Sequence, residues 1–530
     1  MTHIPVIDLF AGPGGLGEGF SVFTAQNENP VFDIALSIEK DPYAHSTLEL
    51  RSFFRKFPKG KVPEEYYEYI RKKSLTRSPK VHQKLRSELF EKYPHEAQMA
   101  REEAWHAELG QNEELYEKID SRIETIRRNS LTKCWGVIGG PPCQAYSVIG
   151  RSRNKGKCGY SAESDKRSYL YQQYLRIIAR HEPDFFVMEN VKGMLSAKLN
   201  GQSVFNQILD DLRRPRGKKK TSIQKYNGLE YEIYPLTADS SIPEKSSDFI
   251  VHAEQYGIPQ TRHRVILLGI KRSFSEEKPI RLAHKPVVAV KDVLDDLPAL
   301  RSGLSREKKI NNTFNRWAET LWQIIDQDWL KNPHNRELAD SIKEIIVSVF
   351  NNELDQGGEF VPFEKTEKKA FKYKDLSEWY MDERLKGACN HSSRSHMVSD
   401  LYRYLYAASF AEKEKRSPLL AEFPEELIPA HKNAGSGHFN DRFRVQLADK
   451  PSTTVTSHIS KDGHYFIHYD PEQCRSLTVR EAARLQTFPD NYFFEGSRTQ
   501  QYIQVGNAVP PLLARQIAEI VHELIRRTLN

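Results

Sequence analysis

The segment that most restricts the fold lies near the start of the chain, where a short apolar run leads directly into a glycine-rich turn. The run is IPVIDLF and the turn is AGPGGLGEGF, in which Gly12, Gly14 and Gly17 have the G-x-G-x-x-G spacing. Such a run is typical of a buried strand, and glycine allows the backbone to turn sharply into a helix. The segment therefore predicts the first strand and helix of a doubly wound α/β fold.

An acidic residue follows the glycine turn at a spacing that suggests a ligand. Glu39 stands at the carboxyl end of a second apolar run, Ile34 to Ile38, about 20 residues beyond the last glycine. A carboxylate there can accept hydrogen bonds from both hydroxyls of a ribose. NAD and S-adenosylmethionine both need this geometry, and a glycine turn without any ligand is a third interpretation, so the motif alone leaves the cofactor open.

Three further apolar runs have the length of buried strands: Trp135 to Ile138, Phe185 to Met188 and Val265 to Ile270. Helical stretches such as YLYQQYLRIIARH lie between them. Strands that alternate with helices form a sheet with helices on both faces. Because ligands bind at the carboxyl ends of such strands, polar residues that follow the runs are candidates for a site.

The chain of 530 residues is long enough for two domains, and its composition changes along its length. We predict a catalytic domain over residues 1–273, with a charged helical insertion at about 51–128. A smaller second domain is predicted for residues 274–450, where strand and helix no longer alternate regularly. Residues 451–530 are predicted to return to the catalytic domain.

Cysteine content and charge restrict the class of protein. The five cysteines are an odd number without a CxxC spacing, so neither a disulfide framework nor a zinc cluster is expected. Cys389 lies near His391 and His396, but these residues lack a fourth ligand, and we expect no metal. The absence of a long apolar run or signal peptide predicts a cytosolic protein. The net charge of +7 is compatible with a polyanionic partner but identifies none.

One cysteine stands where a nucleophile would be useful. In GGPPCQ, Cys143 follows a predicted strand on a turn that Pro141 and Pro142 stiffen. A lone cysteine is more often a small buried apolar residue. A thiol at a strand end near a helix start, however, combines access to a ligand with stabilisation of the thiolate. We therefore predict that Cys143 is a nucleophile.

Two more strand ends carry charged residues. Glu189 follows a predicted strand in ENV, and Arg262 and Arg264 alternate in QTRHR, which would place both on one face of a strand. A buried Glu and Arg often form a purely structural pair. Together with a cysteine beside a nucleoside pocket they predict a catalytic site.

A basic segment directly follows the predicted nucleophile. GRSRNKGKCGY contains Arg151, Arg153, Lys155 and Lys157 among glycines. A solvated loop is the simpler interpretation, but the position next to Cys143 favours a loop that closes over nucleic acid.

Six segments together resemble the motifs of the cytosine-5 DNA methyltransferase family, in the family's order. They are DLFAGPGGLGEGF, GGPPCQAYS, ENVKGM, QTRHR, LTVREAARLQTFPD and QVGNAVPP, spread between Ile7 and Pro511. The resemblance implies a bacterial-type enzyme that transfers a methyl group from S-adenosylmethionine to carbon 5 of a flipped-out cytosine in double-stranded DNA. It also implies a Rossmann-like catalytic domain and a smaller target-recognition domain.

The resemblance assigns roles to individual residues. Phe10 is expected against the adenine, Glu39 on the ribose, and Asn507 and Val509 at the closure of the cofactor pocket, while Glu189 contacts N3 and Arg264 contacts O2 of the base. The predicted cofactor-binding residues are Asp8, Phe10, Gly12, Gly14, Gly15, Gly17, Glu39, Pro141, Asn507 and Val509; the predicted catalytic residues are Cys143, Glu189, Arg262 and Arg264; the predicted DNA-binding residues are Arg151, Arg153, Lys155 and Lys157.

The sequence departs from the family pattern in two places. Tyr146 stands where the family most often has Phe, and the insertion at 51–128 hides the third cofactor motif. Asp120 is the candidate for the acidic residue of that motif.

Three other functions fit parts of the sequence. One branch of the family methylates tRNA, although the region at 274–450 matches the placement of a DNA target-recognition region. A nicotinamide oxidoreductase would leave Cys143, Glu189 and the two arginines without a role. A catalytically inactive module that binds nucleic acid would not need to retain these four residues together.

The expected setting is the bacterial cytosol, in association with the nucleoid, without a membrane or a metal partner. A cognate restriction endonuclease is a candidate partner. Neither its presence nor the recognised DNA sequence is encoded in any motif.

Overall fold

The chain folds into two compact units, each built from segments that are distant in sequence. The computed structural model describes residues 3–25, 29–76, 78–142, 170–199, 201–216, 228–237, 245–305, 312–331, 336–363, 371–430 and 440–529. Unit 1 consists of Met1–Lys59, Pro94–Pro286 and Ala508–Asn530, and unit 2 of Gly60–Tyr93 and Val287–Asn507.

The helices and strands are numbered in chain order across both units. The strands are β1 (Ile4–Leu9), β2 (Phe32–Glu39), β3 (Ala104–His106), β4 (Gly136–Gly139), β5 (Phe185–Val191), β6 (Lys198–Leu199), β7 (Gln202–Ser203), β8 (Tyr231–Tyr234), β9 (Ile250–His252), β10 (Gln260–Thr261), β11 (His263–Lys271), β12 (Gly303–Leu304), β13 (Gly357–Pro362), β14 (Gly387–Ser392), β15 (Ser395–His396) and β16 (Ser452–Thr453). The α-helices are α1 (Gly15–Ser21), α2 (Pro42–Arg55), α3 (Glu64–Ser74), α4 (Pro79–Lys92), α5 (Pro94–Glu103), α6 (Glu113–Asn129), α7 (Leu170–His181), α8 (Val204–Arg213), α9 (Lys291–Leu294), α10 (Phe314–Trp322), α11 (Arg336–Asn351), α12 (Lys374–Tyr380), α13 (Val398–Glu414), α14 (Val479–Leu485), α15 (Arg498–Asn507) and α16 (Pro511–Leu529).

Unit 1 is built around a mixed sheet, which in the described part of the chain has eight strands. Its order is β3-β2-β1-β4-β5-β11-β8, with β9 paired to β11. Strands β1 to β5 run parallel to one another, whereas β11 is antiparallel to β5, β8 and β9. The predicted α/β fold class is confirmed, and the predicted apolar runs lie in β1, β2, β4, β5 and β11.

The strands at the centre of this sheet are apolar because both faces are covered. All six residues of β1 are buried, and so are all four of β4. Side chains such as Ile7, Val137 and Phe186 belong to one core with Tyr174 and Ile177 of α7. This arrangement fixes the strand ends at which the candidate site lies.

The stretch predicted as a helical insertion at 51–128 is mostly helical, but it does not form one element of structure. Helices α3 and α4 belong to unit 2, whereas α5, β3 and α6 belong to unit 1. Strand β3 adds to the sheet beside β2. Several charges of the stretch are buried rather than solvated, among them Arg51, Lys73 and Glu103.

Unit 2 is largely helical, with two small sheets in its described part. Strand β12 pairs with β15 and β13 with β14. Helix α14 begins with a capping box of Thr478 and Glu481, and Glu481 forms a two-pronged ion pair with Arg475 at 2.6 and 2.7 Å. Residues 451–507 fold with this unit, whereas the sequence placed them with the catalytic domain. The predicted division of function between the domains stays a prediction.

None of the helices in the described part of the chain combines the length and the apolar character needed to cross a membrane.

Candidate active site

The glycine turn after β1 has the backbone conformation that its sequence requires. Gly12 and Gly14 have φ angles of +58° and +96°, and Gly14 caps α1 from the left-handed region. Phe10 also lies in this region, with φ of +58°, which is costly for a residue with a Cβ atom and is typical of functional sites. The turn therefore holds Phe10 in a strained conformation, and Gly12 in one that glycine adopts without strain, at the edge of the sheet.

Glu39 ends β2 beside this turn. Its carboxylate accepts hydrogen bonds from the backbone amide of Gly12 at 2.8 Å and from that of Asp41 at 2.7 Å. Burial raises the pKa of Glu39, and these two amide donors act in the opposite direction. Each carboxylate oxygen can accept more than one hydrogen bond, so Glu39 can also bind ribose hydroxyls.

Asp8 is placed differently from the other predicted cofactor residues. It is fully buried in β1 beneath α1, and a Cβ atom added at Gly17 would lie 3.0 Å from its Oδ2 atom. Burial raises the pKa of Asp8 to about 8, against the lowering effect of Arg55. Asp8 thus packs under the glycine turn, and Gly17 leaves space for it.

The start of the last helix packs against the glycine turn. A Cβ atom added at Gly15 would lie 2.2 Å from the carbonyl oxygen of Val509, and one at Gly19 would lie 2.4 Å from Cβ of Ala514. Gly15 and Gly19 must therefore lack a side chain for α16 and the residues before it to approach α1. Asn507 ends α15 in unit 2, where it is exposed.

The turn that leads to the predicted nucleophile follows β4. Pro141 is buried, and its carbonyl oxygen accepts a hydrogen bond from Nδ2 of Asn190 at 3.0 Å. A Cβ atom added at Gly140 would lie 3.2 Å from Oε2 of Glu189. The backbone directly before Cys143 is thus held against the predicted catalytic acid.

Cys143 itself lies outside the described residues. So do Tyr146 and the predicted DNA-binding residues Arg151, Arg153, Lys155 and Lys157.

Glu189 and Arg264 form an ion pair on neighbouring strands. The Nε atom of Arg264 lies 2.9 Å from Oε1 of Glu189, and the two side chains are 15% and 12% exposed. Arg264 also donates from Nη1 to the carbonyl oxygen of His263 at 2.9 Å. Burial lowers the pKa of Arg264, and the charge of Glu189 opposes this effect. The structure therefore brings together these two predicted catalytic residues.

Arg262 is more deeply buried than Arg264, with 2% of its surface exposed. Burial lowers its pKa, as does the positive charge of Arg264, while the charge of Glu189 raises it. Arg262 therefore adds to the positive potential around Glu189 from within the protein.

The three cysteines that the structure describes are poor candidates for a nucleophile. Cys134, Cys389 and Cys474 are all buried, and burial raises the pKa of each thiol, that of Cys389 to about 11. His391, which lies near Cys389 in sequence, uses both ring nitrogens in contacts with Thr478 and Pro298.

One acidic residue near the glycine turn was missed by the sequence analysis. Glu108 stands two residues after β3 and pairs with Lys40 at 3.3 Å, next to the end of β2. Asp120, which was the candidate for the third cofactor motif, lies on α6 and contacts His181 at 2.6 Å. Glu108 therefore lies beside the residue that follows Glu39, but β3 is too short for its end to be recognised in the sequence.

The described site residues meet because their strands are neighbours. Strands β2, β1, β4 and β5 are adjacent and parallel, so the residues after them share one edge of the sheet. The glycine turn after β1, the start of the turn after β4 and the buried Glu189–Arg264 pair therefore lie side by side.

Known proteins are similar to this chain over most of its length. The family model described as C-5 cytosine-specific DNA methylase matches residues 101–523. A type II methyltransferase from Bacillus paralicheniformis is 34% identical over 98% of this chain and 99% of its own length. A DNA (cytosine-5-)-methyltransferase from Aeropyrum pernix is 26% identical, with 73% of this chain and 81% of the relative covered.

A solved structure supports the fold. A prophage-encoded protein from E. coli, described as a DNA modification methyltransferase, superposes with a TM-score of 0.51 at 18% identity, covering 99% of each chain. The chain therefore belongs to the C-5 cytosine-specific DNA methylase family and is a DNA (cytosine-5-)-methyltransferase.

Proposed function

We propose that this enzyme transfers a methyl group from S-adenosylmethionine to carbon 5 of a flipped-out cytosine in a specific DNA sequence, through a covalent bond between Cys143 and C6. The observation that carries the proposal is the contact between the turn before Cys143 and the Glu189–Arg264 pair. A Cβ atom added at Gly140 would lie 3.2 Å from Oε2 of Glu189, which supports a site shared by the acid and the residues that follow this turn.

The residues of the glycine turn fit a nucleoside cofactor. A Cβ atom added at Gly12 would meet no atom within 4 Å, so there is open space at this turn, and Glu39 offers a carboxylate beside it. Phe10 would lie against the adenine and Glu39 would hold the ribose. When bound, S-adenosylmethionine supplies the electrophilic methyl group.

The target carbon needs activation, because C5 of cytosine is a weak nucleophile. Addition of the Cys143 thiolate to C6 forms a carbon–sulfur bond and makes C5 an enamine-like carbon. Charge then develops toward N3 and O2, where a proton on Glu189 and the fixed charge of Arg264 stabilise it. After C5 accepts the methyl group, a base such as water takes the C5 proton, the C5–C6 double bond re-forms, and the carbon–sulfur bond breaks to release the Cys143 thiolate.

The cytosine must leave the duplex before Cys143 can reach C6. Rotation of one base out of the stack costs roughly a few kcal/mol. Arg151, Arg153, Lys155 and Lys157 follow the nucleophile in sequence, and their positive charges suit contacts with DNA phosphates that offset this cost.

A fluorinated substrate tests the covalent step. DNA with fluorine at C5 of the target cytosine accepts the methyl group, but it has no C5 proton to lose, so the adduct persists through denaturation. We expect a protein–DNA adduct on the peptide that contains Cys143. Cys143→Ala should form none, whereas Cys134→Ala should form as much as the wild type, because Cys134 is buried. Full methylation by Cys143→Ala would contradict the covalent step.

The whole-length similarity to a type II methyltransferase supports a role beside a cognate restriction endonuclease in the bacterial cytosol. Base-resolution mapping of 5-methylcytosine in cells that express the chain identifies the sequence that is methylated. Resistance of that DNA to an endonuclease encoded beside the gene is the expected result. Cleavage of the methylated DNA would contradict this role.

A further inference from the structure

Three side chains with metal-ligating atoms lie together at the β9–β11 pair: His252, Glu254 and His263. The antiparallel register places His252, the last residue of β9, directly opposite His263, the first residue of β11. Opposed residues of antiparallel strands project from the same face. Their imidazole rings accordingly have centroids 4.0 Å apart.

The ligand atoms have separations that suit a small cation. Nε2 of His263 lies 2.8 Å from Oε1 of Glu254, and Nδ1 of His252 lies 3.8 Å from the same oxygen. Metal–ligand bonds of about 2.0 to 2.2 Å in a tetrahedral zinc site place neighbouring ligand atoms about 3.3 Å apart. The two observed distances lie on either side of that value.

The cluster is partly exposed to solvent, and one of its carboxylate oxygens is buried without a hydrogen-bond partner in the described part of the chain. The side chains of His252, His263 and Glu254 are 42%, 29% and 20% exposed, so water can reach a fourth position. Oε2 of Glu254 is buried without a hydrogen-bond partner in the described part of the chain. A buried carboxylate oxygen without a partner is unfavourable, and a bound cation would satisfy it.

The charge around the cluster is mixed. Lys192 lies close enough for its charge to act on the ring of His252, and the charge of Glu254 acts on the same ring in the opposite direction. The positive charge of Lys192 also opposes a cation, whereas the carboxylate of Glu254 attracts one.

We propose that His252, Glu254 and His263 bind one divalent transition-metal cation of the zinc class, with water completing the coordination. Two imidazoles and one carboxylate suit such ions better than Mg²⁺ or Ca²⁺, which prefer oxygen ligands alone. The site is separate from the proposed methyl transfer, none of whose steps uses a metal. It adjoins the candidate active site through the hydrogen bond from Arg264 to the His263 carbonyl oxygen.

Titration of the full chain with Zn²⁺ after treatment with a chelator tests the site. Isothermal titration calorimetry should find that His252→Ala, Glu254→Gln and His263→Ala each weaken binding at least about tenfold, the loss that even outer-shell substitutions cause. The double variant His45→Ala/His106→Ala is the matched control. In the wild type the rings of His45 and His106 are also close, with centroids 5.2 Å apart. The described residues around these two rings provide no third ligand.

Two further measurements separate metal binding from folding. Zn²⁺ should raise the melting temperature of the wild type and of the control variant, but not of the three cluster variants. Electron paramagnetic resonance with Cu²⁺ as probe should detect two nitrogen ligands in the wild type and one in His263→Ala. Unchanged Zn²⁺ affinity in His252→Ala and His263→Ala, or an equal loss in the control variant, would overturn the proposal.

Discussion

The ion pair of Glu189 and Arg264 limits how either residue can act. Removing one partner of a buried pair leaves an uncompensated charge, so deletions disturb folding as well as chemistry. An isosteric change at Glu189 is more informative, because glutamine keeps an oxygen that can accept from Nε of Arg264, 2.9 Å away in the wild type.

We expect Glu189→Gln to lower kcat by roughly 10²-fold, because an amide cannot supply the proton that a protonated carboxyl offers to N3. Binding of S-adenosylmethionine, measured by calorimetry, should not change. Glu182→Gln is the matched control, since Glu182 also pairs with a basic residue, Lys271 at 2.9 Å, in the same unit. A kcat equal to that of the control would show that Glu189 has no catalytic role.

The raised pKa of Asp8 should make the free energy of unfolding depend on pH, and unfolding measurements can detect this dependence. Its pKa is raised from 3.8 to about 8, so between these values the folded state holds a proton that the unfolded state releases. The free energy of unfolding should therefore fall as pH rises from about 4 to about 8, by up to about 1.4 kcal/mol per pH unit from this group.

The variant Asp8→Asn has no such proton. Urea unfolding at pH 6 and pH 8 should show the variant gaining stability relative to the wild type as the pH rises. Parallel pH profiles of the two proteins would mean that Asp8 is ionised in the folded state.

At the scale of elements, the contact between α1 and α16 depends on glycine. Gly15→Ala would place a methyl group 2.2 Å from the carbonyl oxygen of Val509, so the helix must move, at a cost of about 1 to 3 kcal/mol. The matched control is Gly201→Ala, whose added methyl group would meet no atom within 4 Å.

The control should lose only about 1 kcal/mol of stability. This is the cost of an alanine in the left-handed region, where Gly201 has a φ of +79°. Melting temperatures of both variants provide the comparison. An unchanged melting temperature in Gly15→Ala would show that α16 adapts at no cost.

The elements that the sequence predicted are those whose pattern is local. Strand β1 is buried along its whole length and β5 over Phe185 to Met188, so the mainly apolar composition of these runs identifies them. Strand β3 has three residues, Ala104 to His106, and exists because it pairs with β2. The end of β3, and therefore the position of Glu108, could not be predicted from the sequence without knowledge of that pairing.

The same reasoning applies to the site. Glu189 and Arg264 were identified because each stands in a contiguous motif at a strand end. The cluster of His252, Glu254 and His263 was missed, because two of its members meet only through the register of β9 and β11. Local patterns thus predict the reacting groups, while contacts across strands require the structure.

The whole molecule differs from a linear arrangement of domains. Helices α3 and α4 precede most of unit 1 in sequence but fold with unit 2. Oη of Tyr67 donates to Oδ2 of Asp382 at 2.7 Å, and Oη of Tyr69 donates to Oε1 of Glu495 at 2.5 Å. Pairs separated by more than 300 residues leave no local pattern in the sequence.

Unit 2 also joins the predicted recognition region to residues beyond Lys450. Arg484 binds Asp296 through Nη2 at 3.0 Å, and the Nε atom of Arg480 donates to the carbonyl oxygen of Cys389 at 2.8 Å. An exchange of residues 274–450 alone would place donor residues at position 296 and around position 389. Arg484 would keep its ion pair with Asp490 at 2.7 Å, but without a carboxylate at position 296 its buried charge is less well compensated, which is destabilising.

We therefore predict that target specificity can be exchanged between relatives only with all of unit 2. Replacing residues 60–93 and 287–507 together should give a folded enzyme that methylates the donor's DNA sequence, because every buried ion pair of the unit is transferred intact. Replacing residues 274–450 alone should give a protein with a lower melting temperature and little activity. Base-resolution mapping of 5-methylcytosine and thermal unfolding of both chimaeras provide the two readouts. An active whole-unit chimaera that still methylates the original sequence would show that unit 1 makes the choice, and a stable chimaera of 274–450 with donor specificity would place recognition in that region alone.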